Sequence, residues 1–191
     1  SFLFVYLIII TPVRYIYEEI PENRIADNVK ATVVVLSLVI SILITAIAPK
    51  YKDKLKKYRI HAIFLILTIL TEMLLVNIMK GIWGRPRMRS ISGFEDFRYW
   101  YEIACPAAGQ EYRSFPSGHT ANAFTMMAYC VLIPEAKKIK GRLLFVIAVL
   151  WGSLVAISRV VLGAHFLSDV IAGFYVTLIC TYCYYRLLFR K

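Results

Sequence analysis

The chain has 191 residues, is 59% hydrophobic and carries a formal net charge of +11, with a mean hydropathy of +0.63. Soluble domains are about half apolar. Here the excess is gathered into runs such as Ala31 to Ala48, which has no charge, and Phe166 to Tyr185, whose only charge is Asp169; such runs approach the roughly 20 residues that cross a bilayer core. This pattern excludes a separate soluble module, and the confinement of most basic residues to three short clusters excludes a nucleic-acid binder.

In chain order, the sequence reads as one integral membrane domain, 1–191, an all-α bundle of six transmembrane helices. The first runs to about Tyr17 and is read as clipped, because Ser1 is no initiator and Ser1 to Val13 is too short to span alone. An acidic loop, Glu18 to Asp27, holds Glu18, Glu19, Glu22 and Asp27 against Arg24. The second helix runs from about Asn28 to Ala48 and is stopped by Pro49. A basic loop from Lys50 to Arg59 follows. The third helix runs from about Ile60 to Met79 and contains Glu72, two turns before Lys80 and near Asn77. A carboxylate at membrane depth is a functional hypothesis by default; Glu72 is expected to support the lysine or line a polar pocket.

Lys80 to Pro116 is a long polar segment in which Phe94, Phe97, Tyr99, Trp100 and Tyr101 interleave with Glu95, Asp96, Arg98 and Glu102. Such aromatics sit at headgroup level, so a short interfacial helix is expected around Phe94 to Ile103, anchoring the loop or gating lipid access. The fourth helix starts near Ser117 and stops at Pro134. The fifth runs from about Leu143 to Ile157 and the sixth from about His165 to Leu188. Cys130, Cys180 and Cys183 lie inside apolar segments and Cys105 is alone in a polar loop, so the cysteines make no disulfide framework and are read as packing residues.

The basic clusters Lys50 to Arg59, Lys137 to Arg142, and Arg186, Arg190 and Lys191 fall on one side if the apolar segments span. That is the cytoplasmic side under the positive-inside rule, and six spans put both termini there. Glu18 to Asp27, Lys80 to Pro116 and Ser158 to Ala164 then lie on the opposite face. Every residue suited to chemistry belongs to these outer segments or the helix ends beside them.

Three pieces carry that chemistry. Lys80 ends the third helix, and Arg87 follows after six residues, both offering donors to phosphate oxygens. Pro116-Ser117-Gly118-His119 opens the fourth helix. Ser117 is a good N-cap, the first N–H groups favour an anion, Gly118 lets the backbone approach closely, and His119 stands beside the bound group able to give a proton. In Ser158 to Asp169, Arg159 can hold two phosphate oxygens. His165 and Asp169 are four residues apart and are expected to share a helix face, the carboxylate fixing one ring nitrogen and raising the basicity of the other. Taken singly, each piece also fits a bland role: a helix start, a buried His–Asp pair, a basic helix end at the headgroups.

Together, in this order and spacing, they resemble the type 2 phosphatidic acid phosphatase family, which shares its site with vanadium haloperoxidases. Lys80 and Arg87, Pro116 to His119, and Ser158, Arg159, His165 and Asp169 match the family's three blocks. Met88 stands where the family usually has Pro, and Arg85-Pro86 offers a second register for the phosphate-binding arginine. The resemblance implies a metal-independent phosphoryl transfer without cofactor. His165 is the implied nucleophile, Asp169 its orienting partner and His119 the acid and base. Lys80, Arg87, Ser117, Gly118 and Arg159 would hold the phosphate, with Arg85 and Glu72 as secondary candidates. Implied substrates are polyprenyl pyrophosphates such as undecaprenyl pyrophosphate, phosphatidylglycerol phosphate, phosphatidic acid and lipid A phosphate, handled at the outer face of a bacterial inner membrane. A lipid-to-lipid phosphotransferase with the same intermediate, or a lipid-phosphate binding or transport protein, remains open at the level of sequence.

Overall fold

The structure is a computed structural model, and it describes residues 27–51, 53, 56–103, 109–133 and 137–190. All regular structure among the described residues is helical. The chain divides into two compact units, Ser1–Arg59 and Ile60–Lys191.

In the first unit, helix α1 spans Asp27–Ile47 and runs into a 3-10 turn, Ala48–Tyr51. Its ends lie within a residue of the expected second helix. The hydroxyls in this apolar helix are satisfied by the preceding turn: Ser41 Oγ donates to the Ser37 carbonyl at 2.6 Å and Thr45 Oγ1 to the Ser41 carbonyl at 2.8 Å. That is how a polar side chain persists where no water is at hand. The expected first helix, and the acidic loop as far as residue 26, lie outside the described residues.

The second unit is built on α2 (Arg59–Trp83), α3 (Gly118–Phe124), α4 (Lys138–Val161) and α5 (Leu167–Phe189). Helices α2, α4 and α5 are the three, among the described residues, that are long and apolar enough to cross a membrane. Large side chains such as Leu74, Leu154 and Leu187 face outward and are exposed, as expected where the surrounding solvent is lipid. Helix α3 packs on both α4 and α5. Small residues allow the close approach. A Cβ on Gly173 would lie 2.5 Å from the Ser117 carbonyl oxygen, and one on Gly152 would lie 2.5 Å from the Phe124 ring. Phe124, Met127 and Ala148 form the buried core between α3 and α4, closed by Phe174. In membranes, helices associate through this kind of packing and not through a hydrophobic driving force.

Away from His165, the structure corrects four expectations. The fourth helix is not one α-helix to Pro134: it is α-helical over Gly118–Phe124 and then a 3-10 helix over Thr125–Leu132. One local and one tertiary bond meet at the change. The Ala121 carbonyl accepts from Thr125 Oγ1 at 3.2 Å and from Thr177 Oγ1 at 2.8 Å, two side chains competing for the ladder at the point of change. The tighter winding stretches the segment, so seven α-helical and eight 3-10 residues rise about 26 Å. Second, α4 runs Lys138–Val161 and not Leu143 to Ile157, which brings Arg159 into its last turn. Third, α2 continues past Met79 to Trp83, so Lys80 lies in its last turn.

Fourth, no interfacial helix forms over Phe94 to Ile103. A 3-10 turn, Phe94–Asp96, is followed by extended backbone at Phe97. Asp96 accepts from the N–H groups of Ser92 and Gly93 and so caps only this short turn, while Glu102 accepts from that of Tyr99, a donor a continuing helix would have used itself. The carbonyls of Arg98 and Trp100 are drawn away to Arg85 Nε at 2.9 Å and Trp83 Nε1 at 2.7 Å. Phe94, Tyr99, Trp100 and Tyr101 remain outward, Phe94 being 87% exposed, while Phe97 is half-buried against Phe166.

Candidate active site

The loops that follow α2 and α4 and precede α3 are stitched into one surface by backbone bonds. Arg87 N–H donates to the Glu111 carbonyl at 2.7 Å, Ser114 N–H to the Arg85 carbonyl at 3.1 Å, and Arg89 N–H to the Gly163 carbonyl at 2.8 Å. Gly84 and Gly163 turn the chain with φ of 57° and 62°, a region open to glycine at little cost. An exposed pair, Arg89 Nη2 to Glu111 Oε1 at 3.0 Å, crosses the same seam. Hydrogen bonds from Arg89 and then from Ser90 hold the Glu111 carboxyl below its ordinary range.

His165 does not begin α5. It precedes Phe166, the extended N-cap residue of a helix that starts at Leu167, so the expected stacking of His165 and Asp169 on one helix face is corrected. Asp169 instead occupies the third helical position and its Oδ2 accepts the Phe166 N–H at 2.9 Å. This is the carboxylate half of a capping box. From there Oδ2 also faces His165 Nδ1 at 3.6 Å, an ion-pair approach longer than a hydrogen bond. The loop carrying His165 is held from behind, because the Arg159 carbonyl accepts the N–H groups of both Ala164 (3.1 Å) and His165 (3.3 Å).

Ser114, which the sequence analysis did not single out, donates to Asp169 Oδ2 at 2.5 Å and lies 3.4 Å from His165 Nδ1. Asp169 Oδ1 accepts from Arg85 Nη1 at 2.5 Å. His165, Asp169, Ser114 and Arg85 are all buried. With Nδ1 turned toward Ser114 and Asp169, Nε2 is the ring nitrogen free to act. Burial pushes the His165 imidazole below the ordinary histidine range; Asp169 opposes this, and the charges of Lys80 and Arg87 add to the downward push. Lys80 and Arg87 thus both bear electrostatically on this ring.

The Pro-Ser-Gly-His block is tied to the same carboxylate residue by its backbone: Ser117 N–H donates to the Asp169 carbonyl at 2.9 Å. Ser117 caps α3, its Oγ accepting from Thr120 Oγ1 at 3.0 Å and from Thr120 N–H at 3.4 Å. Gly118 and His119 are the first two helical residues, half-buried, and their N–H groups project from the helix end. Because α3 is only seven residues long, its contribution to an anion comes from these local donors and little from a macrodipole. Arg159 lies half-buried in the last turn of α4.

Two candidates have other partners. Arg85 is committed to Asp169 and neighbouring protein groups. Glu72 sits eight residues before Lys80 on α2, about 12 Å deeper, where it is buried and accepts from Thr125 Oγ1 at 3.3 Å. Among the described residues no group of three or more His, Cys, Asp or Glu is placed to hold a metal ion.

The family model described as the PAP2 superfamily matches residues 61–191. The chain belongs to the PAP2 superfamily. The matched stretch takes in every residue of the site above. Among PAP2 relatives, a lipid A 1-phosphatase of Rhizobium johnstonii is 34% identical over 113 residues, 58% of this chain and 41% of that protein. Phosphatidylglycerophosphatase B of Bacillus subtilis is 44% identical over 66 residues, 32% of each chain. A lipid A 4'-phosphatase of Francisella tularensis subsp. novicida is 33% identical over 144 residues, 73% of this chain and 64% of that protein. The chain thus spans less than two thirds of the length of these relatives. No solved structure matches it.

Proposed function

We propose that the chain is a single integral membrane domain, 1–191, that removes phosphate from a membrane lipid phosphate or pyrophosphate. The observation that carries this reading is the state of His165: a buried imidazole, its Nδ1 turned to Asp169 and Ser114, with two cations acting on it. A neutral imidazole with one nitrogen held and the other free is a nucleophile. The cations around it suit a phosphoryl group and no apolar ligand.

In the proposed reaction, His165 Nε2 attacks phosphorus, a P–N bond forms and the bond from phosphorus to the lipid oxygen breaks. His119 gives its proton to that oxygen. Water then attacks the phosphohistidine, passing a proton to His119, and the P–N bond breaks to release inorganic phosphate and the neutral imidazole. Lys80, Arg87, Arg159, Ser117 and the Gly118 N–H hold the phosphoryl oxygens as charge develops, which is electrostatic preorganisation. Within the proposal, six helices put both termini in the cytoplasm and the pocket at the outer face of the inner membrane. Names of the relatives favour a lipid A phosphate or phosphatidylglycerophosphate, with polyprenyl pyrophosphate and phosphatidic acid as further members of the class.

The test is phosphate release by the purified protein from a panel of these lipids, with His165→Ala as control. Release from at least one lipid, lost in the variant while the variant stays folded, is the expected outcome. Equal release by the variant would remove His165 as nucleophile, and phosphate appearing only when an acceptor lipid is absent would point to a transferase.

A further inference from the structure

We infer that Arg85 is a positioning residue that acts on the reaction through Asp169 and does not touch the phosphoryl group. The inference rests on the phosphoryl-transfer reading of the pocket. It is carried by the set of partners around one guanidinium. Arg85 is 2% exposed. Nη1 donates to Asp169 Oδ1 at 2.5 Å and to Ser168 Oγ at 2.7 Å, and Nε donates to the Arg98 carbonyl at 2.9 Å. The guanidinium carbon lies 4.2 Å from the Phe166 ring centre and 5.8 Å from that of Phe97. Aromatic rings thus lie against one side of the group, and the donors of Nε and Nη1 are taken by two chain segments far apart in sequence. A phosphate oxygen reaching Nε or Nη1 would have to displace them, and at 2% exposure the whole group is closed off from solvent.

The consequence falls on Asp169. Arg85 pins Oδ1, while Ser114 Oγ and the Phe166 N–H pin Oδ2. A carboxylate fixed at both oxygens cannot rotate about its bond to Cβ, so the edge it offers to His165 Nδ1 is set before substrate arrives. The cation also supplies the countercharge without which a buried carboxylate is strongly unfavourable. The planar fork is needed for this: one group reaches Asp169, Ser168 and Arg98 in different directions, which a lysine ammonium cannot do from a single point. Ser114 is the second half of the same clamp. This leaves Arg87, whose charge acts on the His165 ring, as the arginine of this segment that meets phosphate.

The test is a double-mutant cycle with Asp169→Asn, read in kcat, KM and the inhibition constant of inorganic phosphate. Arg85→Met is expected to lower kcat by about 10–100-fold, the range typical of residues that orient a functional group, with KM and phosphate inhibition unchanged. In the Asp169→Asn background it should cause no further loss, because residues that act as a unit are not additive. Arg85→Lys should recover part of the kcat, and Arg87→Met should weaken phosphate binding. Losses that multiply across the cycle, or an Arg85 variant that weakens phosphate binding as Arg87→Met does, would overturn the inference. If Arg85→Met does not fold, Arg85→Lys carries the same comparison. Binding of inorganic phosphate, followed by calorimetry, needs no turnover. An inactive wild-type protein would therefore count against the phosphatase reading, while the placement of Arg85 is still decided.

Discussion

At His165, burial and the two neighbouring cations both favour the uncharged ring, and Asp169 alone opposes them. The uncharged form that the proposed attack needs is therefore favoured at neutral pH, and the acid limb of kcat/KM should lie below the ordinary histidine value of 6.5. Because kcat/KM reports the free enzyme, removing one cation has a defined sign. In Lys80→Met the ring loses a repelling charge and takes up a proton more readily, so the limb moves to higher pH even as overall activity falls. A limb that stays put or moves down would contradict the assignment. The same depression bears on stability. The unfolded chain binds a proton that the folded ring refuses, so this contribution is complete above 6.5 and is lost as pH falls below it.

Among the elements, the joint between α3 and α5 governs whether the site assembles. Gly173 faces the backbone of Ser117 and Ala121, where a methyl group would sit 2.5 Å and 3.3 Å from main-chain atoms. Gly152 faces the ring of Phe124, a side chain and not main chain. Gly173→Ala should therefore destabilise by about 1–3 kcal/mol and more than Gly152→Ala does, as measured by thermal unfolding in detergent; the reverse order would show that the close approach at Ser117 is not rigid. These joints also explain what was legible beforehand. The spacing of His165 and Asp169 signalled their pairing, although the geometry is a helix cap and not a helix face. For Lys80 and Arg87 the signal was their spacing within one short stretch of chain, and both bear on the His165 ring. Arg85 left two registers open, since its partner lies 84 residues away and nothing local marks it. Ser114 had only its place just ahead of Pro116 as a signal. The break at Thr125 and the missing helix at Phe94 follow from hydrogen bonds to distant groups, which override local helical preference.

For the whole molecule, charge and chemistry separate along the chain. The residues of the site lie at the α2 C-terminus, the α3 N-terminus and the α4–α5 connection. Lys138 and Lys140 lie at the other end of α4. If α4 spans, these two sets are on opposite sides of the bilayer, and the positive-inside rule makes the site extracytoplasmic. A cysteine replacing Ser92 should then be labelled by an impermeant thiol reagent in intact cells, and one replacing Lys140 only after permeabilisation; the opposite pattern would invert the proposed topology. The central claim is that phosphate passes through His165. The most direct measurement is acid- and base-resolved trapping: the protein is mixed with lipid phosphate labelled in the phosphoryl group and quenched within one turnover. The account predicts label on His165 that survives alkali and is lost in acid, and no label on the His165→Ala variant. Rapid phosphate release with no labelled protein at any time, or equal labelling of the variant, would contradict it.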